Sequence, residues 1–321
     1  MPTSRTDKKG WRTRVSEILN TRFPIILGPM RLITLGRMAA EVSNCGGLGV
    51  IAASGLSSDQ LRKEIANAMA HTDHPLAVNI PVYRPNAFDA LEVAIEMGIK
   101  IVYTSAGNPA KMMKRIKEAG LSAIHKVSNE ETARKAQSAG VDAVVAMGFE
   151  AGGHVGREQI TTMCLIPRLA DILSIPVIAS GGIADARGVA AAFALGADGV
   201  EMGTRFAASE ECPVPDFFKD SIRSADSSST LLLGKDAMPI RVLKNDVTMR
   251  VSGMIDEKAD KMMEQKGDAS YVQSGGDKDT AVMPCGQIAG LIRESLKIRD
   301  IFSEILHDFE IVSHRIQKIY S

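Results

Sequence analysis

Eight short apolar runs, separated by stretches of helical composition and starting roughly 21 to 33 residues apart, predict a (β/α)8 barrel over the first two thirds of this 321-residue chain. A change of pattern after residue 209 adds a smaller, mainly helical inserted cap. The spacing accommodates one strand, one helix and their connections, and a right-handed crossover lays each helix outside a parallel sheet. Eight such units without an antiparallel interruption favour a closed barrel over an open doubly wound sheet.

The runs are 24–27, 48–52, 76–80, 100–104, 122–126, 143–146, 176–179 and 199–202. Each is too short for a helix, rich in Val and Ile, and closed by Gly, Ser, Asn or Pro, as buried parallel strands are. Between them, 59–70, 88–97, 109–119 and 130–139 have helical composition, and several end at glycine, which tolerates the left-handed turn after a helix. The longest interval, about 33 residues between the sixth and seventh run starts, contains the glycine-rich stretch Gly148 to Gly156. Connections of that length are commonly functional. Residues 210–280 are rich in charge, Ser and Met, lack the alternation, and read as a cap over the barrel mouth. Residues 281–321 read as helices returning to the barrel, with Ile288, Leu291, Ile292 and Leu296, then Ile301, Ile305, Phe309 and Val312, at helical spacing. The domain plan is a barrel over 1–209, a cap over 210–280 and carboxyl-terminal helices over 281–321.

Composition narrows the function. Hydrophobic residues make up 45% and charged residues 24%, and 38 basic residues balance 38 acidic ones. A formal charge of zero supplies no long-range field to gather nucleic acid or an anionic membrane, so a small-molecule substrate is expected and neither nucleic acid nor membrane. Cys45, Cys164, Cys212 and Cys285 are widely separated and show no metal-ligand or disulfide spacing. The basic amino terminus lacks the apolar core of a secretory signal, and no segment reaches the ~18 apolar residues of a membrane span. A cytoplasmic location is expected, with a homodimer as the assembly the reading admits.

Active sites of such barrels sit at the carboxyl ends of the strands. Pro176-Val-Ile-Ala-Ser-Gly-Gly-Ile183 and Gly199-Val-Glu-Met-Gly-Thr-Arg205 end the seventh and eighth strands, where barrels bind phosphate on backbone N–H groups and a helix N-terminus. Gly181, Gly182 and Gly203 let a phosphate approach the main chain, and Thr204 adds a hydroxyl. No dinucleotide fingerprint follows the first strand and no Walker-type loop occurs, which leaves FMN or a sugar phosphate.

His154 is the candidate catalytic residue. It lies between Gly153 and Val155 in the loop after the sixth strand, and an imidazole with an ordinary pKa of about 6.5 suits proton transfer near neutrality. Lys126 ends the fifth strand and points a cation into the mouth. His125, inside the same run, reads as packed, and His71, His74, His307 and His314 read as surface or scaffold. Met30, Met147, Met163 and Met202 are candidates for an adaptable apolar lining. Arg31 and Arg157 are candidates for an acidic substrate, and Glu150 for a second acid or base.

Several separated motifs resemble those of the FMN-dependent nitronate monooxygenases, formerly 2-nitropropane dioxygenases. They are Gly28-Pro-Met30, Ser43-Asn-Cys-Gly-Gly-Leu-Gly49, Val78-Asn-Ile80, Glu150-Ala-Gly-Gly-His-Val-Gly156, the Ala-Ser-Gly-Gly-Ile stretch, Met202-Gly-Thr-Arg-Phe206 and Gly286-Gln-Ile-Ala-Gly290. The resemblance implies a flavoprotein oxidoreductase whose FMN lies along Gly28, Pro29 and Met30. It places Asn79 and Lys126 near the flavin ring or ribityl chain, with Gly152, Gly153 and Met202 beside them. Gly181, Gly182, Gly203 and Thr204 take the phosphate, Ser180 belongs to the same cofactor site, and His154 faces the substrate. The same framework resembles FMN-dependent enoyl-acyl-carrier-protein reductases and NADH:quinone reductases. Thr104-Ser-Ala-Gly-Asn-Pro109, Gly156-Arg-Glu-Gln-Ile-Thr-Thr162 and Glu210-Glu-Cys-Pro213 look like that branch.

The leading expectation is a nitronate monooxygenase that oxidises alkyl nitronates with O2 to a carbonyl compound and nitrite. The alternative is a reductase of quinones or enoyl thioesters that uses NADH or NADPH as a transient reductant. A sugar-phosphate barrel, with Lys126 and Glu150 as its acid/base pair, or a non-catalytic flavin-binding protein, is the reading from a different class.

Overall fold

The computed structural model describes residues 10–234, 238–254, 270–272 and 276–319. Most of the basic amino-terminal stretch, and residues 235–237, 255–269 and 273–275 of the cap reading over 210–280, lie outside the described residues.

Helix α1 (Arg14–Leu19) begins with a capping box, in which Thr13 and Ser16 exchange hydrogen bonds, and precedes the barrel. The barrel strands then alternate with helices: β1 (Ile25–Leu27), α2 (Gly36–Asn44), β2 (Gly49–Ala52), α3 (Ser58–Met69), β3 (Leu76–Pro81) and α4 (Ala87–Glu96). The alternation continues through β4 (Ile101–Ser105), α5 (Ala110–Glu118), β5 (Ser122–Val127), α6 (Glu130–Ala139) and β6 (Ala143–Met147). A short strand β7 (Gly153–His154) interrupts it before α7 (Thr162–Ile172), β8 (Val177–Ser180), α8 (Ala186–Ala194), β9 (Gly199–Met202) and the single turn α9 (Thr204–Ala207). All eight runs expected to be strands are strands, with ends shifted by a residue or so. The four expected helices form as well. Asn129 caps α6 through Thr132 N–H, and Gly140 closes it with φ of 90°.

The parallel strands run in the order β1-β9-β8-β6-β5-β4-β3-β2. A bridge between Ile26 and Leu48 joins the two ends, with Leu48 N donating to Ile25 O at 2.9 Å and Leu27 N to Leu48 O at 3.0 Å. The fold is a (β/α)8 TIM barrel. Alternate side chains divide its core in two. Ile26, Val50, Ile101, Ile124, Val145 and Ile178 fill the interior, and Val15 and Leu19 of α1 pack into the same cluster. Leu27, Val78, Val102 and Val144 face outward into the larger core shared with the helices. Full burial of each such side chain contributes ~1.5–3 kcal/mol, so one register slip would turn the interior set outward at once.

Beyond the barrel come α10 (Asp216–Arg223), β10 (Thr230–Leu233), β11 (Ile240–Leu243), α11 (Asp246–Ser252) and α12 (Ile298–Gln317), with 3-10 turns at Ser270–Val272 and Gln287–Leu291. Two differences from the sequence reading matter for the site. A hairpin, β10–β11, lies within the segment read as mainly helical, and it pairs antiparallel with β7 in a three-stranded sheet. Leu233, Val242, Val247, Val251 and Val282 give that sheet its own apolar cluster. The helical spacing at 288–296 is not one helix: it is a 3-10 turn with Leu291 55% exposed, and regular helix resumes only at Ile298. No helix among the described residues is long and apolar enough to cross a membrane.

Candidate active site

The carboxyl ends of the barrel strands open into a cavity of about 1170 Å³. Every residue assigned from sequence to catalysis or to the cofactor lines it. Gly28, Pro29 and Met30 follow β1, Asn79 lies in β3 and Lys126 in β5, and Gly152, Gly153 and His154 belong to the long loop after β6. Ser180, Gly181 and Gly182 end β8, and Met202, Gly203 and Thr204 join β9 to α9. Met147 also lines it, whereas Met163 is 68% exposed on α7 and does not. His71, His74, His307 and His314 are exposed away from the cavity.

The corner between β8 and β9 has the shape of an anion cradle. Gly181 and Gly182 adopt successive left-handed conformations, with φ of 92° and 76°, which a side chain would strain. A Cβ built on Gly203 would meet only Met30 Sδ, at 3.8 Å, so this backbone is open to a ligand. Thr204 Oγ1 accepts a hydrogen bond from Gly286 N at 3.0 Å, which leaves its proton to donate. The helix N-terminus at this corner is that of α9, which starts at Thr204 after Gly203 with no side-chain cap, whereas Asp185 already caps α8 through Arg187 N and Gly188 N and pairs with Arg187. Gly152 brings the β6 loop against this corner, because a Cβ there would lie 2.6 Å from Cys285 C and Gly286 N.

Below the cavity lies a polar network that the sequence reading missed. Glu201, in β9 and 3% exposed, accepts hydrogen bonds from Lys126 Nζ at 2.7 Å, Ser180 Oγ at 2.7 Å and the Tyr103 hydroxyl. Burial, and then the adjacent carboxylate, push the Tyr103 pKa well above its ordinary value, so Tyr103 remains a donor. Asn79 is held by donating to Tyr103 O at 2.9 Å and Ser105 Oγ at 3.2 Å. Lys126 is therefore one half of an ion pair rather than a lone cation. The signal was an acid inside an otherwise apolar strand, a position that requires a partner when buried.

Lys126 and Glu150, the acid/base pair of the sugar-phosphate reading, both line the cavity, but Lys126 is held by Glu201 and Glu150 by Thr162. The Glu150 carboxylate accepts from Thr162 N at 2.9 and 3.1 Å, closing the N-terminus of α7, whose N-cap Thr161 makes no side-chain bond. Thr162 Oγ1 in turn donates to Gly181 O at 2.8 Å, which ties this cap to the cradle.

His154 is positioned by pairing rather than by a free loop. Its register partner is Ile240, Gly153 faces Arg241, and Val155 N donates to Pro239 O at 2.9 Å. Arg241 clamps the loop, donating to Phe149 O at 2.9 and 3.2 Å with its guanidinium 4.7 Å from the Phe149 ring centre. Solvent reaches the imidazole through the mouth, yet the concave wall around it removes much of its hydration. That desolvation, followed by the charge of Arg84, lowers its pKa and keeps the ring neutral at neutral pH. His125 is 3% exposed and hydrogen-bonded to Thr104 Oγ1 at 2.8 Å, and burial lowers its pKa to about 4. It is a packed histidine, as its place in the strand implied.

Comparison with known proteins agrees with this geometry. Residues 12–308 match the nitronate monooxygenase family. The chain is 34% identical over 244 residues to the (3aS,4S,5R,7aS)-5-hydroxy-7a-methyl-1-oxo-octahydro-1H-indene-4-carboxyl-CoA dehydrogenase of Mycobacterium tuberculosis, covering 75% of this chain and 68% of that one. It is 34% identical over 291 residues to a Staphylococcus saprophyticus protein described as "Probable nitronate monooxygenase", covering 76% and 82%. The solved structure of FabK from Thermotoga maritima superposes with a TM-score of 0.92 at 38% identity, covering 96% of this chain and 99% of that one. With the strand-end cradle and His154 on one cavity, the chain belongs to the nitronate monooxygenase family and is a flavin-dependent oxidoreductase.

Proposed function

We propose that this protein is an FMN-dependent reductase that moves two electrons from NAD(P)H to the carbon–carbon double bond of an enoyl thioester. The observation that carries this reading is the size of the cavity. Its volume of about 1170 Å³ exceeds the ~300–1,000 Å³ common for a single small ligand, so a flavin and a second large molecule fit side by side. A nitronate of a few atoms would leave much of that space to water. Arg84 and Arg157 on the lining add cations suited to the phosphates of a nicotinamide dinucleotide or a coenzyme A thioester. The 34% identity to a carboxyl-CoA dehydrogenase supports a thioester as the substrate class.

The residues present fit FMN. The open backbone at Gly203, the Gly181–Gly182 turn and the Thr204 hydroxyl would hold its phosphate, while Gly28, Pro29, Met30 and Asn79 would line the rest. When bound, the flavin supplies a two-electron relay between a nicotinamide and an alkene conjugated to a carbonyl. His154 donates an N–H to the thioester carbonyl oxygen, which draws electron density away from the double bond. Glu201 holds Lys126 and Ser180 in place beneath it. One NAD(P)H and one proton are consumed for each enoyl thioester converted to the saturated thioester, with NAD(P)+ released.

The second reading, nitronate oxidation, is favoured by the family match and by the Staphylococcus relative, and a neutral His154 would serve there as base toward a nitroalkane α-proton. Product analysis separates the two. In oxygen-free buffer, crotonyl-CoA with NADPH or NADH should give butyryl-CoA, with one nicotinamide oxidised per alkene. No saturated product with either nicotinamide, together with nitrite release from an alkyl nitronate in air, would overturn the reductase assignment.

A further inference from the structure

Tyr83 and Arg84 follow β3 where the chain leaves the barrel. Both line the cavity, and Tyr83 is 54% exposed. The Arg84 guanidinium lies over that ring, 5.0 Å from its centre. The backbone beneath them is fixed to the neighbouring loop, with Val82 N donating to Ser105 O at 2.7 Å and Tyr83 N to Ala106 O at 3.1 Å, while Arg84 N turns back to Pro81 O at 3.1 Å. The pair is thus a fixed platform on the cavity wall.

Among the described residues Arg84 forms no ion pair, and its Nε is shielded from solvent without a hydrogen-bond acceptor. The guanidinium therefore brings to the cavity a charge that no carboxylate of the described residues neutralises. Its charge reaches His154, so cation and imidazole border one space. An exposed aromatic residue beside a cation without an anionic partner is the combination that holds an aromatic base by stacking and a phosphate by a charge-assisted fork.

We propose that Tyr83 and Arg84 form a docking site for an adenosine phosphomonoester, with the base on Tyr83 and the phosphate on Arg84. That group is shared by NADPH and coenzyme A thioesters and is absent from NADH and pantetheine thioesters. The inference rests on the reductase reading for its choice of ligands, but the site can be tested without turnover.

Adenosine 2′,5′-bisphosphate and adenosine 3′,5′-bisphosphate, titrated calorimetrically into the flavin-loaded protein, probe the site directly. At least one should bind the wild type. Arg84→Met and Tyr83→Leu should each weaken that binding about tenfold or more at unchanged melting temperature and flavin content, and Arg84→Lys should recover only part of the loss, because it keeps the charge and loses the fork. Binding of the 2′,5′ compound, with a matching fall in the NADPH-over-NADH preference of Arg84→Met, identifies the nicotinamide source. Binding of the 3′,5′ compound, with a matching fall in the preference for coenzyme A over pantetheine thioesters, identifies the acyl source. Failure of both bisphosphates to bind, or equal binding by wild type and Arg84→Met, would overturn the site. Bisphosphate binding that depends on Arg84, in a protein that neither nicotinamide reduces, would uphold the site and sink the reductase reading instead.

Discussion

Lys126 Nζ lies 2.7 Å from Glu201 Oε1 at the floor of the barrel mouth, and the same carboxylate also takes the hydroxyls of Ser180 and Tyr103. The pair joins β5 to β9 across the barrel, and it decides how much positive charge the cavity floor presents. Removing the acceptor while leaving a nearly buried ammonium behind is the costly way to break such a pair, at roughly 3–5 kcal/mol. Glu201→Ala is therefore expected to lose about that much stability in urea unfolding, and Glu201→Gln, which keeps an acceptor oxygen, distinctly less. Equal stability for wild type and Glu201→Ala would show that the network contributes nothing.

Gly203→Ala tests the cradle without disturbing the fold. Gly203 has φ of −105°, which any residue adopts, and the new methyl would meet only Met30 Sδ at 3.8 Å. The variant should melt close to wild type but be purified with little flavin, its affinity for FMN reduced about tenfold or more, as expected when a methyl is forced against a fitted group. Full flavin content in Gly203→Ala would move the phosphate elsewhere.

His154 should titrate below the ordinary imidazole value of about 6.5 in an NMR titration, because burial and then Arg84 disfavour its charged form. Arg84→Met should move the midpoint upward only part of the way, since burial is the larger cause. His154→Ala should keep its flavin and lose ~10²–10³ in kcat/KM for the thioester, the range for removing one donor to a developing oxyanion. An imidazole that titrates at or above its ordinary value would contradict the assigned environment.

His125 gives a stability signature independent of function. Its folded pKa of about 4 lies below the unfolded value of 6.5, so between these values the unfolded chain binds a proton that the folded chain refuses. Stability should be flat with pH above 6.5 and should fall by about 3 kcal/mol as pH drops from 6.5 to 4. His125→Gln should flatten that part of the profile, as read from urea midpoints at each pH. An unchanged slope would assign it to other groups.

The barrel was legible because each strand is a short apolar run bounded by turn residues, and because parallel strands covered on both faces need no alternation to be recognised. The cradle glycines and His154 were legible for a related reason: residues just past a run must lie at the mouth. Glu201 was overlooked because it stands within such a run, where the apolar neighbours mask an inward acid until Lys126 and Tyr103 are seen around it. The hairpin Thr230–Leu233 with Ile240–Leu243 was hidden by its short strands and by Arg241, whose charge is spent on Phe149 O rather than on solvent. The cap that Glu150 forms was not legible because nothing local shows that a carboxylate will close a helix that begins twelve residues later at Thr162. The 288–296 spacing misled because Gly290 packs directly on Asp226 and Ser227, a contact no helix periodicity encodes.

The most direct measurement is anaerobic stopped-flow absorbance of the flavin-loaded protein mixed in turn with NADPH, NADH and an alkyl nitronate. NADPH or NADH is expected to bleach the visible flavin band, and an enoyl thioester to restore it without oxygen. Bleaching by the nitronate and by neither nicotinamide would contradict the thioester reductase assignment.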